Sequence, residues 1–215
     1  DLTTRLDNGG IDTLNDGLGY DVLVGGSLGD AIEGSIGRDL IFGDQVDLDR
    51  TASLGDTTNP RFRVVKEDQI YSTTEGSVGE VLVTSQAFAD PSGVPVWADF
   101  RITMLDTFGL IANSSGADYI AGGVDSDQIF GQLGRDVIQG DGATSTFQTN
   151  GQRVSALRDL TNDLVINPSF DNPGDGDDYI EGGGGTDTIF GNQGQDDIIG
   201  GNSSLFGLGD RKSTR

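Results

Sequence analysis

Ten aspartates stand out by their spacing. Asp12, Asp21, Asp30 and Asp39 lie nine residues apart, as do Asp118, Asp127 and Asp136, and again Asp178, Asp187 and Asp196. Each follows a glycine-rich turn and precedes, two residues on, a leucine or isoleucine. Carboxylates beside glycines, whose small size lets backbone carbonyls converge, are a donor set made wholly of oxygen. The chain contains no histidine and no cysteine. Imidazole and thiolate ligands, imidazole bases and every Ser-His-Asp or Cys-His arrangement are thereby excluded, and the chemistry left is that of a hard cation such as calcium.

The overall charge points the same way. Thirty-five acidic residues face 13 basic ones, for a formal net charge of -22. Such a chain repels phosphate backbones and anionic headgroups, so neither nucleic acid nor membrane insertion is expected, and no run of 18 apolar residues exists. Two carboxylates about 4 Å apart repel by roughly 4 kcal/mol at an effective dielectric of 20, so compaction requires a neutralising cation. Only 34% of the 215 residues are apolar and 7% aromatic, thin for an ordinary core, while 35 glycines demand recurrent tight turns. The reading is of a soluble mature product or fragment, starting at Asp1 without an apolar leader.

The elements that must position the aspartates come from the same period. Residues 7 to 42 divide without a gap into DNGGIDTLN, DGLGYDVLV, GGSLGDAIE and GSIGRDLIF. The frame returns at 113 to 139 as NSSGADYIA, GGVDSDQIF and GQLGRDVIQ, and at 173 to 199 as PGDGDDYIE, GGGGTDTIF and GNQGQDDII. Residues 118 to 142 and 178 to 202 share 13 identities in 25. Aspartate holds the sixth position and an aliphatic residue the eighth in all ten repeats. A three-residue strand with one inward side chain cannot stand alone, so copies must stack. The core is then Leu14, Leu23, Ile32, Ile41, Ile120, Ile129, Ile138, Ile180, Ile189 and Ile198.

These repeats resemble the RTX, or hemolysin-type calcium-binding, nonapeptide G-G-x-G-x-D-x-U-x, in which U is a large aliphatic residue. The resemblance covers about 90 of 215 residues. It implies an all-β fold: a right-handed parallel β-roll, or β-solenoid, interrupted here by two β-rich inserts. In that family the first six residues form a turn whose aspartate and carbonyl oxygens hold Ca2+, and two nonapeptides make one turn of the roll. Repeats n and n+2 then stack, bringing Asp12 over Asp30, Asp21 over Asp39, Asp118 over Asp136 and Asp178 over Asp196. Asp127 and Asp187 are left to find partners across the inserts. Carbonyl ligands are expected around the glycines of the second and fourth positions: Gly10, Gly17, Gly19, Gly26, Gly37, Gly116, Gly123, Gly134, Gly176, Gly183, Gly185 and Gly194. Leu28 and Asp125 replace the fourth-position glycine, and the Leu28 turn is the more strained. Asn8, Ser35, Ser114, Gln132 and Asn192 replace the second. Without calcium most of the repeat region is expected to be disordered, as an acidic glycine-rich chain should be.

The organisation read from the chain is an RTX block at 7–45, a β-rich insert at 46–112, blocks at 113–142 and 173–202 flanking an insert at 143–172, and a tail at 203–215. In the first insert RFRVVK, EVLVTS and WADFRITML have strand character. In the second, VSALRDLTNDLVI fits a helix or a long strand equally. Phe42, Phe130 and Phe190 at the ninth position, with Tyr119 and Tyr179 at the seventh, should face away from the interior, which predicts that either the inserts fold back over them or a neighbouring protein covers them.

The remaining motifs carry no chemistry. Gly25-Gly26-Ser27-Leu28-Gly29 matches a lipase-type string, but it lies in a repeat turn with no histidine to activate Ser27. The acid pairs Asp177-Asp178 and Asp196-Asp197 belong to repeats rather than to a glycosidase dyad. The reading is therefore non-enzymatic: a secreted, extracellular or cell-surface bacterial module that folds on binding several Ca2+ ions. Its role is structural or adhesive, in a surface layer, fibril or adhesin, with copies of itself or other surface proteins as partners. The alternative is the calcium-dependent export portion of a secreted enzyme or toxin whose catalytic domain lies elsewhere.

Overall fold

A computed structural model of the chain describes residues 2–3, 9–49, 101–105, 115–144 and 153–202. The regular elements among them are all strands. They are β1 (Leu2–Thr3), β2 (Thr13–Leu18), β3 (Val22–Val24), β4 (Ala31–Ile36), β5 (Leu40–Phe42), β6 (Val46–Asp49), β7 (Arg101–Met104), β8 (Tyr119–Val124) and β9 (Gln128–Phe130). There follow β10 (Leu133–Gly134), β11 (Val137–Asp141), β12 (Ser155–Arg158), β13 (Leu164–Asn167), β14 (Tyr179–Glu181), β15 (Gly184–Gly185), β16 (Thr188–Phe190) and β17 (Asp197–Ile199).

Positions seven to nine of every nonapeptide are strand, and successive nonapeptides alternate between two parallel five-stranded sheets. One sheet runs β2-β4-β8-β11-β16 and the other β3-β5-β9-β14-β17. Their register places the eighth positions side by side: Leu14, Ile32, Ile120, Ile138 and Ile189 in the first sheet, Leu23, Ile41, Ile129, Ile180 and Ile198 in the second. Seven of the ten predicted core residues are buried together in one cluster fed by both sheets, with Leu14 and Ile189 packed against it. Ile198, on the outermost strand, is 40% exposed because nothing stacks beyond it among the described residues. Each fully buried member stabilises the stack by about 1.5–3 kcal/mol. An all-β architecture with this alternation is consistent with a β-roll.

The stack does not stop at the inserts. β4 pairs with β8 and β5 with β9 across the first insert, while β11 pairs with β16 and β9 with β14 across the second. The repeat strands on either side of each insert therefore pair in register.

The outward aromatics are covered as expected from the sequence. β1, β6 and β7 form a small antiparallel sheet, and its Val46, Leu48, Ile102 and Met104 pack on Leu40, Phe42, Phe130 and Tyr179 in a second buried cluster. Phe42 and Phe130 are stacked at 5.2 Å, and Tyr179 meets Phe130 at 6.1 Å. On the other sheet, the Arg153 guanidinium lies 4.9 Å from the centre of the Tyr119 ring, and Val154 beside it is buried. Phe190 is half-buried in a groove shared with Leu157, Leu164 and Ile166.

Residues 155–167, which the sequence left open between helix and strand, form an antiparallel hairpin of β12 and β13. The reason lies in the turn. Asp159 Oδ1 accepts the N–H groups of Thr161 at 2.8 Å and Asp163 at 2.9 Å, and Asn162 takes φ 69°, a conformation asparagine tolerates. In the first insert Arg101–Met104 is a strand; residues 61–66 and 80–85 lie outside the described residues.

Candidate metal centre

The sixth-position aspartates line up in two ladders, one beside each sheet. Along the first, the N–H of Asp12 donates to Asp30 Oδ1 at 2.8 Å, Asp30 to Asp118 at 2.8 Å, Asp118 to Asp136 at 2.9 Å and Asp136 to Asp187 at 3.1 Å. Along the second, Asp21 donates to Asp39 at 2.9 Å, Asp39 to Asp127 at 2.7 Å, Asp127 to Asp178 at 2.8 Å and Asp178 to Asp196 at 3.1 Å. A backbone bond runs back across each step, for example from Gln128 N–H to the Asp39 carbonyl at 2.8 Å. All four pairs expected from repeats n and n+2 are brought together, and Asp127 and Asp187 find their partners across the inserts.

One carboxylate oxygen of every repeat aspartate except Asp12 and Asp21 thus serves the stack. In Asp30, Asp39, Asp118, Asp127 and Asp178 the Oδ2 atom is buried and accepts no hydrogen bond. Burial first, then neighbouring carboxylates, push the Asp39 and Asp118 carboxyls up to about 7. Asp127 and Asp178 are held well above the usual range, again by burial first and then by the charges of Asp178 and Asp141 respectively. Buried anionic oxygens without a donor are costly unless a cation meets them.

The glycines define where that cation would sit. A side chain at the first position would strike the Oδ2 of its own repeat's aspartate and the first-position carbonyl of the next rung: Asp39 and Gly122 at Gly34, Asp127 and Gly140 at Gly122, Asp136 and Gly182 at Gly131. Carboxylate and carbonyl oxygens therefore converge on a cradle that the glycines at these positions keep open. Two stacked turns supplying carboxylate and carbonyl oxygens fit the six to eight oxygen ligands of calcium. The second- and fourth-position glycines lie on the same turns. Gly17, Gly19, Gly26, Gly37, Gly123, Gly183, Gly185 and Gly194 have positive φ, and their replacements Leu28, Ser35, Asp125, Gln132 and Asn192 adopt φ of 70° to 76°. Leu28 accordingly carries the strain expected of it, since a left-handed conformation costs a non-glycine residue about 1–2 kcal/mol.

The inserts interrupt two turns that nevertheless close. A side chain at Gly43 would strike Asp118 Oδ2, and one at Gly140 would strike Asp178 Oδ2, the contacts a first-position glycine makes with its own repeat. Gly43 to Gln45 and Gly140 to Gly142 therefore supply the first three positions of the repeats whose sixth positions are Asp118 and Asp178. The nine-residue frames written from 113 and 173 begin, in space, at Gly43 and Gly140. Each split turn is fastened by a buried aspartate at its second position: Asp44 Oδ1 accepts Gly116 N–H at 3.0 Å, and Asp141 Oδ1 accepts Gly176 N–H at 3.0 Å. Asp44 Oδ2 also accepts Leu133 N–H at 2.9 Å from the next rung.

Asp44 and Asp141 were not among the residues singled out from the sequence. The signal for them was the Gly-Asp step that ends each of the first two blocks, where the frame has glycine second. Asp16 is a further addition. It stands at a first position, and its carboxyl is raised to about 6 by burial, by a hydrogen bond to Asp21 and by that group's charge. Ser27, in the lipase-like string, is buried and accepts a hydrogen bond from the Gln45 side chain, a structural role.

Comparison with known proteins agrees with this geometry. Residues 7–27, 24–45, 113–146 and 173–204, just under half of the chain, match the model of the RTX calcium-binding nonapeptide repeat. No curated protein and no solved structure matched. The period of nine, the paired aspartate ladders and the family match converge on one identification: this chain carries RTX calcium-binding nonapeptide repeats in three blocks, and the ion they bind is Ca2+.

Proposed function

We propose that the chain is a non-enzymatic structural or adhesive module of a secreted or surface bacterial protein, a right-handed β-roll that folds when Ca2+ fills the spaces between its stacked turns. The ten repeat aspartates are its ligands, completed by turn carbonyls. The observation that carries this reading is the row of buried Oδ2 oxygens without hydrogen-bond donors, repeated rung after rung on both ladders. Inside a cell, at low free calcium, these carboxylates keep the chain unfolded; outside, at millimolar calcium, sites with affinities of about 10⁻⁴ to 10⁻³ M suffice.

A structural role follows from the ends of the stack. β2 and β3 at one end, and β16 and β17 at the other, present unpaired parallel edges among the described residues. Edges of this kind template addition of further strands, and two different complementary ends make a head-to-tail contact that propagates. Sedimentation velocity of the chain at rising protein concentration, in 5 mM calcium and in chelator, tests this. Calcium-dependent oligomers that grow with concentration are expected. A compact monomer at every concentration in calcium would remove self-association from the reading.

A further inference from the structure

We infer that Asp16 contributes a third carboxylate to the ion between the Asp21 and Asp39 turns, so that this position binds calcium most tightly and fills first. The inference rests on the proposed calcium reading and deepens it, because the nine-residue frame assigns no ligand to a first position.

Three facts support it. Asp16, Asp21 and Asp39 each offer a carboxylate oxygen, and these three atoms lie within 4.8 Å of one another. Asp39 is completely buried, and one of its two carboxylate oxygens, Oδ2, accepts no hydrogen bond. The other first positions in the described residues, Gly25, Gly34, Gly43, Gly122, Gly131, Gly140, Gly182 and Gly191, are glycine. Asp16 is thus a departure confined to one rung, and it brings a charge where the other rungs bring none.

Ligand charge is a main determinant of calcium affinity, and a site with three carboxylates should bind more tightly than otherwise similar sites with two. Access is provided as well. Asp16 is exposed, and with Asp21 it borders an open cleft at the end of the stack between β2 and β3. The competing explanation is that Asp16 and Asp21 share a proton and hold each other without an ion. The two differ in what removing Asp16 does to metal affinity.

Tyr20, adjacent to Asp21, supplies the readout. Terbium, a luminescent stand-in for calcium, emits when excited through a nearby tyrosine, and the signal lost in Tyr20→Phe isolates this site from the chain's other aromatics. In the full chain that Tyr20-dependent emission should saturate at the lowest terbium concentration of any component. Asp16→Gly, which installs the residue of the other rungs, and Asp16→Asn should each shift its midpoint about tenfold higher. The calcium-induced circular dichroism should keep its amplitude in both. Identical midpoints in wild type and both variants, with calcium-dependent folding intact, would overturn the role of Asp16 alone. Absence of both emission and calcium-induced structure in the wild type would overturn the calcium reading with it.

Discussion

Asp127→Asn should stabilise the chain in chelator and destabilise it in calcium. Asp127 lies at the middle of its ladder, fully buried, with its Oδ1 accepting Asp39 N–H at 2.7 Å and its own N–H donating to Asp178 Oδ1 at 2.8 Å. Asparagine retains an oxygen for the first of these bonds and leaves the second untouched. What it removes is the charge, which burial and the neighbours Asp178 and Asp39 oppose. In chelator at neutral pH that removal relieves the folded state. In calcium the same change deletes an anionic ligand, and the calcium midpoint for folding should rise by about tenfold or more. The β-structure signal in circular dichroism in chelator, and the calcium midpoint for folding, give the two signs. A shift in the same direction under the two conditions would contradict the assignment of Asp127 as a ligand.

The same carboxyls set the pH dependence. Asp39 and Asp118 at about 7, and Asp141 at about 8, lie above the ordinary aspartate range in the folded chain, so between about pH 4 and 8 the folded state holds more protons than the unfolded one. In chelator this contribution to stability is fully present below about pH 4 and is lost as pH rises through 7 to 8. Calcium competes with those protons for the same oxygens, so its affinity should rise across that window.

The second large effect is expected at Gly122. A methyl group there would meet Asp127 Oδ2 and the Gly140 carbonyl, neither of which can move without breaking the rung above or below. Overpacking of this kind costs about 1–3 kcal/mol, and the intruding atom also occupies the ion's cradle. Gly122→Ala should lower the melting temperature in calcium by roughly 5–10 °C. Gly200→Ala is the matched control, since a side chain at Gly200 would meet nothing within 4 Å. Equal melting temperatures for the two variants would show that the first-position glycines are not held by close approach.

Much of this arrangement was legible because the nine-residue period couples three properties at once. An aspartate at position six and an aliphatic residue at eight in every repeat, and an aromatic at seven or nine in five of the ten, fix, in turn, the ladder, the core and the outer face. Hence Ile32, Ile41 and Ile129 fall in the interior, and Phe42 and Phe130 under a covering sheet. What escaped the sequence lies where the period breaks. That Gly43 belongs to the turn of Asp118 depends on a contact between segments about 75 residues apart, which no local pattern encodes. The hairpin at 155–167 escaped because its apolar residues satisfy either a helical or an extended pattern, and the decision falls to the hydrogen bonds of Asp159. Asp16 escaped because a first-position aspartate looks like drift in a glycine-rich turn until the structure sets it beside Asp21 and Asp39.

The most direct test of the central claim is far-UV circular dichroism of the full chain during a calcium titration, with magnesium as the control. A cooperative gain of β-structure toward millimolar calcium, absent with magnesium at the same concentration, is the predicted result. An unchanged spectrum across the titration would contradict it, because the aspartate ladders would then be held together, or left apart, by something other than the ion.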